Sequence, residues 1–407
     1  MMKKVLTLLF ALVMIFSLAS SVTAAEKAQG VFDDKIIIGT TMPLSGQMAS
    51  VGVPFTAGIQ AYFDYVNAQG GIDGRQIEFL TIDNEYDPVK AKSAVEKLVE
   101  DQHIFALVSP FSTPIVGAIL PDVKEYGIPL VFPATGISQL YSEAATTNEE
   151  GRNVFPVQPL YNVEGQLMIA RAAGTFGASK VGIIYTNDDA GKNILEGAQK
   201  QADAIGIELV AEQVAVGAAD ASPAIISILG QNVDVVIAAA MQPTFPTIVK
   251  ELATQGNTNI VIGSCVNSAI TIAEQIADVI EGQFDVYIST WKRVDEELYP
   301  EQSALFKEYI PQEYLGNADA ESGWMGGYMV CTGLNRLVGQ ELTWDSFIEA
   351  MESEPIDVPF SATIDYSNGR RLGVDSMLLS KCNMDDPSGT GWEVVYPTAS
   401  ISELIGE

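Results

Sequence analysis

The residues best suited to hold a small molecule lie in loops and do not form a catalytic cluster. In Ser109-Pro110-Phe111-Ser112-Thr113-Pro114, Thr113 is spaced as a helix N-cap with Pro114 at the first helical position. A helix start presents open N–H groups and the positive end of the helix dipole, which suit a carboxylate. Ser112, next to Thr113, can share that contact. Asp188 and Asp189, in Thr186-Asn187-Asp188-Asp189-Ala190-Gly191, could meet a cation or simply cap the next helix from a solvated loop. Asp83, Glu85 and Asp87 resemble the first ligands of a calcium loop, but the required Gly and distal Glu are missing in register, so a solvated loop is the better reading. His103 is the only histidine and is expected to open a strand in a structural role. Cys265, Cys331 and Cys382 contain no Cys-x-x-Cys pair, which argues against a zinc site. One disulfide could form among them, and the spacing does not choose the pair. No Gly-x-Ser-x-Gly elbow or phosphate-binding Gly/Lys loop occurs. The chain is therefore expected to bind without catalysing, and to need no cofactor or metal. Hydrolysis by Asp188 or Asp189 is the enzymatic alternative.

These loops need a scaffold, and the hydrophobic pattern supplies one. Residues 35–40 read as a strand, 52–68 as a helix and Ile77 to Ile82 as the next strand. Pro88 opens a helix with Ala91, Ala94, Val95, Leu98 and Val99 on one face. Ile104 to Val108 is a strand that delivers the Phe111-Ser112-Thr113 loop. A helix over about 114–126 and a strand from Ile128 to Phe132 follow, ending in Pro133-Ala134-Thr135-Gly136. A second series begins near residue 180, with strands at 180–185, 207–214, 233–240 and 259–262 alternating with helices. Residues 286–370 carry more helix, and about 371–396 reads as strands and turns. Alternation in both series predicts α/β architecture, with two doubly wound parallel-sheet lobes built in the same order. In such sheets, ligands bind outside the carboxyl ends of the strands, where the loops above fall.

The chain has 407 residues, which suits two lobes. Met1-Met2-Lys3-Lys4, an apolar run from Val5 to Leu18 and small residues up to Ala25 read as a secretory leader over residues 1–25. The apolar run is shorter than the ~20 residues a membrane span needs. A periplasmic or extracellular location after cleavage follows as an expectation. The formal charge is −30 and becomes −32 without Lys3 and Lys4. Such a surface repels nucleic acid and anionic membranes, so any anion site must be local.

The segment Gly39 to Pro88 resembles the leucine/isoleucine/valine-binding family of type I periplasmic solute-binding proteins. The residues that carry the resemblance are Pro43-Leu44-Ser45-Gly46, Gly52, Ala57-Gly58, the run Asn67 to Arg75, and Asp83 with Asp87-Pro88. Tyr126-Gly127-Ile128-Pro129 and Pro133-Ala134-Thr135 continue it. The resemblance implies two lobes joined by a three-strand hinge, with crossovers near 155–160, 286–290 and 366–370. It places residues 30–157 plus 288–368 in an N-terminal lobe and 158–287 plus 369–400 in a C-terminal lobe. It implies a receptor that acts as a monomer, closes over a small molecule and delivers it to an inner-membrane ABC permease. Branched-chain or other neutral amino acids come first as ligands, with aromatic or organic acids and amides as the alternative. A ligand-sensing subunit of a signalling system would use the same fold.

Residue by residue, the resemblance assigns the ligand carboxylate to Thr113, with Phe111 and Ser112 alongside. It assigns further ligand contacts to Ala134, Thr135 and Gly136, with Thr135 supplying the hydroxyl that the family often has one position later. Two family aromatics fall on Ala190 and Met241. The family acid that pairs with a ligand ammonium falls on Cys265, so Asp188, Asp189 or Tyr161 takes over, or the ligand has no ammonium. Trp324 falls near an apolar ligand contact, with core packing as the alternative.

Overall fold

The computed structural model describes residues 28–46, 48–141, 151–292 and 299–406. The leader read over residues 1–25 lies outside them. Among the described residues, no helix is long and apolar enough to cross a membrane.

Two parallel sheets organise the chain. The first has the order β2-β1-β3-β4-β5, from strands Lys35–Met42 (β1), Gln76–Asp83 (β2), Ala106–Val108 (β3), Leu130–Val131 (β4) and Val154–Phe155 (β5). β1 lies between β2 and β3 and is almost wholly buried. Its alternation divides the core, with Ile36 and Ile38 facing one helical layer and Ile37 the other. The first layer holds helices Ala49–Ala68 (α1), and the second holds Pro88–Glu96 (α2) and Thr113–Tyr126 (α3). α2 continues as one π-helical turn, Lys97–Asp101. Fully burying each such Ile or Leu contributes about 1.5–3 kcal/mol, so β1 is a main stabilising element.

The second sheet begins after helix Tyr161–Gly174 (α4). Strands Lys180–Thr186 (β6), Glu208–Val214 (β7), Val235–Ala239 (β8), Ile260–Gly263 (β9) and Val286–Thr290 (β10) repeat the first order as β7-β6-β8-β9-β10. Helices Asp189–Ile205 (α5), Ser222–Leu229 (α6), Thr244–Thr254 (α7) and Ile270–Ile280 (α8) connect them. After β10 the chain returns to the first sheet through helices Pro300–Tyr309 (α9), Ala318–Asn335 (α10) and Trp344–Glu352 (α11). A two-stranded ribbon, Ile356–Asp357 (β11) and Thr363–Ile364 (β12), leads back out. Strands Ser376–Cys382 (β13) and Trp392–Ser400 (β14) then extend the second sheet in antiparallel fashion beside β10, and Ile401–Ile405 (α12) ends it. The expected α/β class and paired doubly wound sheets are thus observed.

Glycines set the tightest helix crossing. A Cβ on Gly58 would lie 1.9 Å from the Ala320 carbonyl, and one on Gly323 would lie 2.0 Å from that of Phe55. Only paired glycines let α1 and α10 approach so closely. Trp324 sits beside this contact. It is fully buried among Tyr62, Tyr65 and Phe306, and its indole N–H donates to Gln302 at 3.0 Å. This is the core packing that stood as the alternative to a ligand contact for Trp324.

The first and third crossovers lie side by side. The Val374 N–H donates to the Val157 carbonyl at 2.8 Å, and the Tyr366 hydroxyl to that of Pro156 at 2.6 Å. Behind them Glu352 receives Arg152 and the fully buried Arg371, both at 2.5 Å. The Arg371 guanidinium also stacks 4.6 Å from the Phe155 ring centre. One contiguous apolar cluster runs through both halves, from Trp324 and Phe132 to Leu167, Cys265 and Trp291.

Some local expectations need revision. His103 is exposed in a left-handed turn ahead of β3 and does not open the strand. All three cysteines are buried and free, so none of the possible disulfides is present. Trp291 is buried edge-on against Phe132, 6.1 Å between ring centres.

Candidate functional site

The carboxyl ends of β3 and β4 bring the two best loops together. Beyond the regular strands, Phe111 and Ala134 form a parallel bridge, and the Ala134 N–H donates to the Pro110 carbonyl at 2.9 Å. This stitching sets Thr113 beside Thr135, whose hydroxyls hydrogen-bond at 2.9 Å. Phe111 is half-buried, its ring 6.5 Å from that of Phe55.

Ser112, not Thr113, is the N-cap of α3, and Pro114 therefore occupies the second helical position. Ser112 adopts φ 88° and ψ 151°, a region few residues other than glycine occupy, and its side chain makes no capping bond. This backbone is why the cap shifts by one residue. Its hydroxyl is buried and has no partner in hydrogen-bonding geometry, although Tyr86 lies beside it. The Val116 N–H is the first in α3 to bond back, to the Ser112 carbonyl at 2.9 Å. The first-turn N–H groups are the ones a helix leaves open.

Tyr161, the first residue of α4, reaches this pair from the second half. Its N–H donates to the Gly136 carbonyl at 2.5 Å, and its hydroxyl sits against those of Thr113 and Thr135. Burial pushes its phenol up to about 12, so it stays neutral at any ordinary pH. A Cβ at Gly136 would lie 2.6 Å from the Pro159 carbonyl and 3.0 Å from the Tyr161 ring. Glycine at 136 is thus a packing requirement, and Thr135 carries the hydroxyl.

One turn along α4, Glu164 is a residue the sequence did not single out. It is 0 % exposed, and its carboxylate accepts from the Cys265 N–H at 2.6 Å and the Ser264 hydroxyl at 2.9 Å. Burial raises its pKa, and the bonds donated by the Cys265 N–H, the Ser264 hydroxyl and the Cys265 thiol only partly oppose this. The Cys265 thiol is likewise pushed well up by burial and by Glu164. Lys292 is close enough to favour negative charge at Cys265, and its ammonium donates to the Ala318 carbonyl at 3.0 Å and to the Ser322 hydroxyl at 2.5 Å.

The remaining candidates divide. Asp188 is the N-cap of α5, accepting from the Gly191 N–H at 2.9 Å and the Thr186 hydroxyl at 2.8 Å, and it faces Tyr86 from across the seam. Asp189 is exposed on the first turn of α5. Ala190 is buried beneath that helix, and Met241 is half-buried after β8. Asp83, the first residue of the supposed calcium loop, accepts from the Leu44 N–H, the Ser45 hydroxyl and the Glu85 N–H. Asp87 caps α2. Among the described residues, no cluster of metal-ligating side chains is present. A groove of about 840 Å3 follows the outer flank of α3, between Pro114, Lys124, Gln139 and Asp189. Neither Thr113 nor Thr135 lines it.

The arrangement is therefore a ring of hydroxyls at a helix start, closed by a neutral phenol and backed by apolar side chains. It can hold a small polar-ended molecule.

Comparisons with known proteins agree with this geometry. The periplasmic binding protein family matches residues 35–387. A Leu/Ile/Val-binding protein homolog 2 from Brucella abortus is 26% identical over 222 residues, 54% of this chain and 58% of the relative. An amino acid binding protein from Pseudomonas aeruginosa is 22% identical over 232 residues, 55% of this chain and 58% of the relative. The chain thus spans less than two thirds of these relatives' length. Among solved structures, a fatty acid ABC transporter substrate-binding protein from Thermomonospora curvata superposes with a TM-score of 0.77 at 21% identity, covering 94% of this chain and 96% of that one. A branched-chain amino acid ABC transporter protein from Thermus thermophilus with bound valine gives 0.76 at 15% identity, covering 92% and 98%.

Proposed function

The chain belongs to the periplasmic binding protein family, and from that membership we propose that it is the exported receptor of an ABC importer. It captures a small carboxylate-bearing molecule between its two halves and presents it to an inner-membrane permease. Residues 30–157 plus 288–368 form one lobe and 158–287 plus 369–400 the other, with the three crossovers as the hinge. The observation that carries this reading is the meeting of Thr113, Thr135 and Tyr161. Hydroxyls from both halves converge on the start of α3, where N–H groups and the helix dipole favour an anion.

Binding would proceed without covalent chemistry. In an open state the Tyr161 hydroxyl separates from the threonines. A ligand head group then takes the place these donors fill for one another, and closure removes water, which strengthens each polar contact. A relative is named for Leu/Ile/Val binding and a structural neighbour for fatty acids, which supports a ligand with an apolar body and a carboxylate. A thermal-shift screen with amino acids, aromatic acids, short organic acids and amides tests the reading. A ligand of the folded state raises Tm by mass action. Failure of every carboxylate in the panel to raise Tm would refute it.

A further inference from the structure

We infer that Arg171 anchors a second binding site, separate from the hydroxyl cluster, that takes a small oxyanion. Arg171 lies ten residues beyond Tyr161 on α4, roughly 15 Å along the helix axis. The inference does not depend on the receptor reading.

Arg171 is 4 % exposed, and its Nε and Nη2 atoms are buried without a hydrogen-bond partner among the described residues. A guanidinium carries five N–H donors, accepts nothing and keeps its charge at every ordinary pH. Removing it from water without a counter-charge is costly. Burial accordingly pushes its pKa down, opposed among the described residues by the Tyr396 phenol. The Tyr396 ring centre is 6.0 Å from Cζ, at the outer end of the range over which a ring face attracts a cation. A chain with 52 acidic residues against 22 Lys and Arg has carboxylates to spare, and it supplies them to other arginines. Arg152 turns the same edge, Nε and Nη2, onto Glu352 at 3.0 and 2.5 Å, and the fully buried Arg371 reaches that carboxylate as well. This edge matches two oxygens of one oxyanion side by side. Because every group on it donates, it discriminates for an acceptor and against an ammonium.

The surroundings supply no competing acceptor and a way in. Asp285, on the same outer part of the second sheet, is engaged by Lys381 at 2.8 Å and by the Tyr287 hydroxyl at 3.3 Å. Tyr287 stands close enough to Tyr396 to feel its charge, and its ring packs 4.8 Å from that of Phe176, just beyond α4. Tyr396 is 42 % exposed and belongs to β14, the edge strand of the sheet, so no further strand holds its ring in place. The site opens when that ring turns outward. An oxyanion then takes both N–H groups in one plane and supplies the counter-charge that the protein withholds.

Thermal unfolding of the whole mature chain at pH 7.5, with inorganic phosphate or acetate replacing chloride at constant ionic strength, tests this. At least one of the two should raise Tm saturably, as a ligand of the folded state does. Arg171→Met should abolish the saturable rise. Arg171→Lys keeps the charge, loses the fork and should move the midpoint at least tenfold to higher concentration; it decides the matter if Arg171→Met does not fold. Tyr396→Ala should move the midpoint to lower concentration, and an unchanged midpoint overturns the entry route. Thr113→Val should respond as wild type does, which keeps this test apart from the receptor reading. No saturable rise with either anion overturns the inference. So does a rise that both Arg171 variants share with wild type, and if Thr113→Val alone loses it, the anion belongs to the hydroxyl cluster.

Discussion

Replacing Thr113 by Val removes one hydroxyl and keeps the branched shape of the side chain. The helix start should survive, because Ser112 is the cap and Thr113 makes no capping bond. In the unliganded protein the change deletes the 2.9 Å bond to Thr135. A neutral bond of this kind contributes about 0.5–1.5 kcal/mol, so folding stability should fall only slightly. In the complex the same hydroxyl faces a carboxylate, and a hydrogen bond to a charged group contributes about 1.5–3 kcal/mol. At 1.4 kcal/mol per tenfold, Kd should rise roughly 10- to 150-fold. Thr135→Val should behave alike, and the double variant should lose less than the sum, since both hydroxyls serve one head group. Titration calorimetry reads Kd, and thermal unfolding confirms that each variant is folded. A folded Thr113→Val that binds within twofold of wild type would show that the head group lies elsewhere.

Other residues give independent tests. Burial raises the Glu164 pKa, so its contribution to stability is complete below the ordinary Glu value of about 4.3 and is lost as pH rises through the raised value. Glu164→Gln should therefore become more stable relative to wild type as pH climbs from about 5 to 8, and parallel Tm–pH curves would refute this. Glu352→Gln weakens a carboxylate that joins two arginines, one fully buried, and should cost roughly 3–5 kcal/mol in denaturant unfolding; a loss below about 1 kcal/mol would mean the triad is dispensable. Trp324→Ala should cost about 3–5 kcal/mol while leaving Kd unchanged in the folded protein, and a selective loss of affinity would restore Trp324 to the site.

The alternation of strands and helices was legible because it rests on local period and on punctuation by Gly and Pro, as at Pro88 and Gly127. The loops at Thr113 and Thr135 were legible for the same reason, since strand ends dictate where they fall. The shift of the α3 cap to Ser112 was not, because a positive φ at serine is imposed by the bridge between Phe111 and Ala134 and has no sequence signature. Glu164 was missed because a lone Glu inside a helix ordinarily faces water. The available signal was its neighbour Gly165, where a Cβ would lie 2.0 Å from the Ile194 carbonyl, marking a helix buried on that side. Trp324 was misplaced because an aromatic on a Gly-rich helix fits a cleft wall and a tight crossing equally well. The Arg152–Glu352–Arg371 triad joins residues some 200 positions apart, beyond any local pattern.

The most direct test is a crystal structure of the protein with the tightest carboxylate found by titration. The account predicts its carboxylate oxygens within hydrogen-bonding distance of Thr113 Oγ1, Thr135 Oγ1 and the first turn of α3, with the Tyr161 hydroxyl closing from the other half. A ligand lodged instead in the groove along the outer flank of α3, with the threonine pair still bonded only to itself, would contradict it.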